Sequence, residues 1–64
     1  MLVNGVTTDI GDARNVADVV ERLGLVGKRI AVEMNGRIVP RSAYGSTPIA
    51  DVDRLEIVGA VGGG

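Results

Sequence analysis

Residues 30–40 read Ile30-Ala31-Val32-Glu33-Met34-Asn35-Gly36-Arg37-Ile38-Val39-Pro40, and the architecture of the whole chain can be worked out from them. In their first half, larger apolar residues alternate with Ala31 and Glu33, which is the period of a half-buried strand. Asn35-Gly36 supplies the two residue types that tolerate the positive φ angles of a type I′ turn, so it predicts a β-hairpin. Pro40 cannot donate a ladder hydrogen bond, and we therefore expect the second strand to end there, on a sheet edge.

A second hairpin is predicted at the N-terminus. Asn4-Gly5 lies between Met1-Leu2-Val3 and Val6-Thr7-Thr8, so the same turn chemistry joins two short strands.

One helix is predicted between the hairpins, over roughly residues 15–24. Asn15 is a good N-cap, and Asp18 three residues later imitates the acid of a capping box. Gly24 supplies the left-handed residue that ends a helix, and Leu25 is placed for the apolar contact that accompanies it. Four apolar residues share one helix face: Val16, Val19, Val20 and Leu23.

The second half of the chain is irregular until a final strand. Arg41–Tyr44 is expected to form one helical turn with Ser42 as its cap, and Arg41 to make a local ion pair. In the strand over residues 54–58, Leu55 and Ile57 share one face. The expected core combines this face with the earlier patterns: Val16, Val19, Val20, Leu23, Ile30, Val32, Leu55 and Ile57. The helix-free face of the sheet is expected to carry Glu33, Arg37, Arg54 and Glu56.

The order hairpin, helix, hairpin, short turn, strand predicts a two-layer α+β domain. A β-grasp (ubiquitin-like) fold fits this order, with a mixed sheet of four to five strands and one main helix packed on one face. The last strand would run in the sheet centre, parallel to the first. We expect a single domain over residues 1–64, with a flexible C-terminal tail at residues 61–64.

The composition argues against several classes of function. Histidine and cysteine are both absent, which removes the commonest general base and the strongest nucleophile, so we expect no enzyme and no metal site. Seven basic and eight acidic residues are scattered without a basic run, so no nucleic-acid partner is expected. Neither an 18-residue apolar stretch nor a signal-peptide layout is present, and we expect a soluble cytoplasmic protein without a membrane partner.

Three glycines close the sequence, Gly62-Gly63-Gly64. One interpretation is a frayed terminus with no role. The other is a tail, Val61 to Gly64, that enters a partner's active site, because glycine has no Cβ and passes a narrow channel. A free α-carboxyl group is ionised at neutral pH, so Gly64 can attack the α-phosphate of ATP in a partner enzyme and become an acyl-adenylate. Sulfur can then replace AMP and leave a thiocarboxylate.

The chain resembles the ThiS family, the ubiquitin-like sulfur carriers of thiamin (thiazole) biosynthesis, along almost its whole length. The resemblance is carried by Asn15-Val16-Ala17-Asp18-Val19-Val20, Leu23-Gly24-Leu25, Arg29-Ile30-Ala31-Val32, Asn35-Gly36, Val39-Pro40-Arg41-Ser42, Tyr44, Asp51-Val52-Asp53-Arg54-Leu55-Glu56-Ile57-Val58 and Ala60-Val61-Gly62-Gly63-Gly64.

Three positions depart from the family pattern. The family usually has Thr where Asn15 stands, Trp at Tyr44 and Gly at Val52. The first strand is also about two residues short by the resemblance. None of these departures touches the tail.

The resemblance implies a reaction cycle and its partners. An E1-like adenylyltransferase of the ThiF type would activate Gly64 with ATP and magnesium, and the carrier itself would bind no cofactor. A cysteine desulfurase or other persulfide donor would supply sulfur. A thiazole synthase of the ThiG type would accept it. Gly64 would be the modified residue, and Val61, Gly62 and Gly63 would enter the partner's active site.

Two alternatives stay open at this point. The first is a thiocarboxylate sulfur carrier for molybdopterin or another pathway, since such carriers share the fold and the Gly-Gly end. The second is a non-catalytic ubiquitin-like binding module whose tail is inert.

Overall fold

Two hairpins, one α-helix, one 3₁₀ helix and a final strand make up residues 1–59, the part of the chain that this computed structural model describes. The predicted tail, residues 61–64, lies outside the described residues. The elements are β1 (Leu2–Val3), β2 (Val6–Thr7), α1 (Val16–Arg22), β3 (Ile30–Met34), β4 (Arg37–Val39), the 3₁₀ helix (Arg41–Ser46) and β5 (Arg54–Gly59).

Both Asn-Gly pairs form the predicted turns. Asn4 and Gly5 have φ angles of 52° and 80°, and Asn35 and Gly36 have φ angles of 52° and 85°. Two consecutive residues with positive φ define the type I′ turn, whose twist matches that of paired strands. Both hairpin predictions are therefore confirmed.

The helix begins as its sequence predicts, with one difference at the cap. The Asn15 side chain accepts a hydrogen bond from the Asp18 N–H at 2.8 Å. The Asp18 carboxylate accepts from the Arg14 N–H at 2.9 Å, so the return bond of the capping box reaches one residue before the cap. An isolated bridge between Asn15 and Pro48 holds the chain that enters the helix.

The helix ends in a Schellman motif. Gly24 has a φ of 72°, its N–H donates to the Glu21 carbonyl at 3.0 Å, and the Leu25 N–H donates to the Val20 carbonyl at 3.0 Å. Leu25 packs against the core, as predicted. The expectation that Leu23 belongs to the core is wrong, since Leu23 is 39 % exposed. Leu23 is the C-cap after the last helical residue, Arg22, and the chain then turns at Gly24 so that Leu25 packs against the core instead.

The five strands form one mixed sheet in the order β2-β1-β5-β3-β4. β5 lies in the centre, parallel to β1 and antiparallel to β3. β4 is an edge strand and ends immediately before Pro40, as predicted. This topology confirms the β-grasp arrangement, with the helix covering one face.

The strand register decides which residues face the helix. Leu55 pairs with Met34, and Arg37 also pairs with Met34, so all three lie on the helix side of the sheet. The expectation that Arg37 lies on the helix-free face is therefore wrong. A two-residue turn fixes the register of its hairpin, and Ile38, opposite Glu33, takes the helix-free position instead.

The core lies between the sheet and the helix. Val16, Val19, Val20, Val32 and Leu55 are buried, as predicted, whereas Ile30 and Ile57 are only partly buried. Four further residues complete the buried cluster without having been predicted for it: Met1, Val3, Ile10 and Val39.

The segment after β4 is a 3₁₀ helix rather than a capped helical turn. Pro40 precedes it and no side chain caps it, so the expected role of Ser42 is wrong. The Arg41 guanidinium donates to the Lys28 carbonyl oxygen at 3.2 Å and, contrary to expectation, makes no ion pair with any residue of the described part of the chain. Within residues 1–59, the ion pair joins Arg22 and Asp12 instead.

Candidate functional site

The four residues predicted to act on sulfur transfer, Val61, Gly62, Gly63 and Gly64, lie outside the described residues. Their attachment point is described: β5 ends at Gly59, and five residues of sequence follow it. The site is therefore built from the end of β5 and from the surfaces around it.

The end of β5 is supported unequally on its two sides. β3 pairs with β5 as far as Gly59, which lies opposite Ile30. β1 pairs with β5 only as far as Leu55, which lies opposite Val3. Beyond Leu55, main-chain pairing on the β1 side stops because the chain turns away at Asn4-Gly5.

The side chain of Asn4 continues the pairing where β1 stops. Its Nδ2 donates to the Ile57 carbonyl oxygen at 3.0 Å, and its Oδ1 accepts from the Ile57 N–H at 2.7 Å. The carboxamide thus makes both hydrogen bonds that a main-chain residue of β1 would make. The sequence offered no signal for this contact, since Asn4 is already explained by the turn that it occupies.

The helix-free face carries exposed apolar residues near the same end of β5. Val58 is 58 % exposed and pairs with the exposed Ala31 of β3. Ile38 of β4 is 77 % exposed and pairs with Glu33, two residues along β3 from Ala31. We call Ala31, Ile38 and Val58 the exit patch. Glu33 and Glu56 pair beside it. Contiguous exposed apolar residues with a charged rim are typical of protein interaction sites.

A shallow open depression lies at the other end of β5. It is lined by Asn35, Gly36, Arg54 and Glu56, and Arg54 is the first residue of the strand. Three of its lining residues lie at the start of β5 or in the turn beside it, and the fourth, Glu56, lies in the middle of the strand next to the exit patch.

Within residues 1–59, no three acidic side chains come close enough together to hold a metal ion.

In the same part of the chain, no helix has the length and apolar character needed to cross a membrane.

Comparison with known proteins identifies relatives over the whole length of the chain. The sequence profile of the ThiS family matches residues 1–64. The crystal structure of the thiamine biosynthesis protein (ThiS) from Geobacter metallireducens is 32 % identical, with a TM-score of 0.77 over 98 % of this chain and 96 % of that one.

Two sequence relatives differ in length. A thiazole synthase from Paramagnetospirillum magneticum is 36 % identical over 64 residues, which are all of this chain but about one fifth of that protein's length. The uncharacterized protein ycf40 of Porphyra purpurea is 32 % identical over 62 residues, covering 97 % of this chain and 87 % of that protein.

Proposed function

The chain belongs to the ThiS family, and on that basis we propose that it is a sulfur-carrier protein of thiamine (thiazole) biosynthesis. The observation that carries the proposal is the family match over residues 1–64, which includes the closing Gly62-Gly63-Gly64. The central position of β5 supports it, because the sequence that follows Gly59 leaves from the middle strand of the sheet rather than from an edge strand.

The proposed chemistry takes place at the carboxylate of Gly64. A carboxylate oxygen attacks the α-phosphorus of ATP in an E1-like adenylyltransferase of the ThiF type, and pyrophosphate leaves. A persulfide from a cysteine desulfurase or related donor then attacks the acyl carbon, and AMP leaves. A second thiolate attacks the donor cysteine's sulfur in the resulting acyl disulfide, forms a new disulfide with that cysteine and releases the thiocarboxylate as the leaving group. ATP and magnesium belong to the activating enzyme, and the carrier acts as its protein substrate rather than as an enzyme.

The proposed acceptor of the sulfur is a thiazole synthase of the ThiG type. Support comes from the Paramagnetospirillum magneticum protein, a thiazole synthase with a segment similar to this chain. When a carrier segment and its acceptor enzyme share one polypeptide, the effective concentration of the carrier at the acceptor's active site is raised, since their encounter is intramolecular.

The exit patch is the proposed docking surface for the activating enzyme. Ordering a glycine removes more conformational freedom than ordering other residues, so binding of the tail alone is weak. Contacts to the folded body offset that loss. Val58 lies one residue before Gly59, so a partner that covers the exit patch also receives the residues that follow β5.

Deletion of Gly64 tests the proposal. The carrier is incubated with ATP, magnesium, the ThiF-type enzyme of the same genome and a persulfide donor, and its intact mass is followed. We expect the full chain to gain an adenylate and then about 16 Da, from exchange of oxygen for sulfur at the carboxyl group. The truncated chain should unfold at the same urea concentration as the full chain and gain neither mass.

Three results would count against this assignment. Equal sulfur loading of the truncated chain rejects Gly64 as the site. An unchanged mass of the full chain with an active partner favours the binding module. The loaded carrier is also offered to both acceptor enzymes. If a thiazole synthase does not consume its thiocarboxylate sulfur but a molybdopterin-forming enzyme does, the carrier belongs to the molybdopterin pathway. The intact mass of the native protein must also correspond to a chain that ends at Gly64, because the proposal requires a free carboxylate there.

A further inference from the structure

The two turn asparagines of the sheet contact opposite ends of β5. Asn4 bonds to the N–H and C=O of Ile57, two residues before the end of the strand. Asn35 accepts from the Arg54 N–H at 2.9 Å and donates to the Asp53 carboxylate at 3.0 Å, at the start of the strand. The chain therefore offers a matched pair of residues with the same turn role and a different location along β5.

The register shows why Asn4 matters for the end of the strand. The Asn35 N–H donates to the Arg54 carbonyl, and because hydrogen-bonded and non-bonded pairs alternate in an antiparallel ladder, Glu56 and Val58 also point their main-chain groups at β3. Leu55, Ile57 and Gly59 point theirs at the β1 side. The Asn4 N–H binds the Leu55 carbonyl at 2.8 Å, and the Asn4 side chain binds Ile57.

Without the Asn4 carboxamide, the last residues of β5 would be held from one side only. β1 ends its pairing at Val3, and within residues 1–59 the Ile57 N–H and C=O have no main-chain partner on the β1 side. The last residues of β5 would then open more readily from Ile57 onward, because a strand end held by β3 alone has fewer main-chain bonds to break. Asn4 thus sets how far β5 extends as an ordered strand toward Gly59.

We propose that Asn4 is a positioning residue, which fixes the direction in which the chain leaves the body after Gly59 and so presents the C-terminal carboxylate to the activating enzyme. This inference rests on the proposed function. Asn4 touches neither ATP nor the reacting carboxylate. It lowers the number of residues that a partner must order on binding, which is the usual gain from preorganisation.

The expected effect is on recognition rather than on chemistry. If loss of the carboxamide frees even one residue at the end of β5, the ordering that the partner must then supply corresponds to roughly tenfold weaker binding. The apparent KM for the carrier in the adenylylation reaction should rise by about that factor, while kcat at saturating carrier stays unchanged.

The test compares Asn4→Gly with Asn35→Gly. Glycine adopts the left-handed φ of both positions, so both type I′ turns are retained, and each variant loses two side-chain hydrogen bonds. ATP–pyrophosphate exchange by the ThiF-type enzyme of the same genome gives KM and kcat. We expect a raised KM for Asn4→Gly only, together with faster amide hydrogen exchange at Ile57 and Gly59.

The possible outcomes separate this inference from the proposed function. Equal KM values for the two variants, or a lower kcat at unchanged KM for Asn4→Gly, overturn it. If Asn4→Gly does not fold, Asn4→Asp serves instead, since it tolerates the turn and keeps an acceptor for the Ile57 N–H while it loses the donor. Its KM should lie above that of the unmodified chain, and an unchanged KM overturns the inference. If ATP–pyrophosphate exchange continues unchanged with a carrier that lacks Gly64, the proposed function itself is rejected.

Discussion

Asn35 and Arg54 are joined by two hydrogen bonds of equal length. The Asn35 N–H donates to the Arg54 carbonyl oxygen at 2.9 Å, and the Arg54 N–H donates to Asn35 Oδ1 at 2.9 Å. One residue of a hairpin turn therefore satisfies both main-chain groups of the first residue of the central strand. Asn4 does the same for Ile57 with its side chain alone, so both hairpins are tied to β5 through their turns.

Replacement of Asn35 by glycine should destabilise the fold while leaving the turn intact. The Arg54 N–H loses its side-chain partner and Asp53 loses a donor, and we expect the free energy of unfolding to fall by about 1–2 kcal/mol. Urea unfolding measures the change. Thr8→Ala is the control, because the Thr8 hydroxyl bonds only to the nearby Val6 carbonyl on the exposed surface. An equal loss of unfolding free energy in both variants would contradict a stabilising role for the two Asn35 side-chain hydrogen bonds.

Two leucine-to-alanine variants test the boundary of the core. Leu55 is 0 % exposed at the centre of the sheet, so Leu55→Ala leaves a cavity and should reduce the free energy of unfolding by about 2–5 kcal/mol. Since a domain of this size seldom has a larger total stability, the variant should be largely unfolded in circular dichroism. Leu23→Ala should remain folded, because Leu23 lies at the exposed end of the helix. Similar loss in both variants would place Leu23 in the core.

Two glycine-to-alanine variants separate the cost of a left-handed backbone conformation from the cost of a steric clash with an added Cβ. An added Cβ would meet nothing within 4 Å at either Gly24 or Gly45, but only Gly24 has a left-handed φ. We expect Gly24→Ala to lower the free energy of unfolding by about 1–2 kcal/mol, from the strained conformation alone. Gly45→Ala should be neutral or raise it by roughly 0.4–1 kcal/mol through the unfolded state. Thermal unfolding of both variants gives the comparison, and a neutral Gly24→Ala would exclude the Schellman motif.

The helix cap is tested by replacing Asn15. Asn15→Ala removes the acceptor for the Asp18 N–H and should reduce the free energy of unfolding by about 0.5–2 kcal/mol. Asn15→Thr keeps a capping oxygen and should recover most of this loss, and urea unfolding of the two variants distinguishes them. No recovery in the Thr variant would show that the second contact of Asn15, with the Gly45 carbonyl, matters more than the cap.

The exit patch is tested by a charge placed at its member on β5, Val58. Val58→Lys puts an ammonium group among the apolar residues of the proposed docking surface, and we expect the KM for the carrier in ATP–pyrophosphate exchange to rise by about tenfold or more. The neighbouring Glu33 and Glu56 offset the new charge, so stability should change little. Val52→Lys makes the same chemical change at a residue that is 88 % exposed, in the turn before β5. A matching rise of KM in this control would point to net charge rather than docking.

Much of the fold could be predicted because its signals are local. Each Asn-Gly pair predicts its own turn, Asn15 and Gly24 predict the two ends of one helix, and the alternation in β3 predicts a half-buried strand. Two predictions were wrong because a local pattern was extended beyond the element to which it belongs. Leu23 continues the helical period but lies past the last helical residue, and Ser42 is a good cap for a helix that instead begins after Pro40.

The site could be predicted only in part for the same reason. The closing glycines are visible in the sequence, and the chemistry proposed for Gly64 follows from a carboxylate without a side chain. The exit patch was not predicted, since the helix-free face was expected to carry Glu33, Arg37, Arg54 and Glu56. The members of the patch depend on register. Ile38 takes the position expected for Arg37 because the two-residue turn pairs Met34 with Arg37.

By itself the amino-acid sequence determined where this chain turns and where its helix starts and stops, since those choices depend on φ preferences and on the periodicity of neighbouring residues. The central position of the last strand was expected from the β-grasp arrangement that fits the order of elements. Only the tertiary structure decided that Asn4 binds Ile57, across 53 positions of sequence. That contact exists because β1 and β5 run side by side and β1 pairs with β5 only as far as Leu55, whereas β5 continues to Gly59. Such a mismatch arises only when distant segments meet.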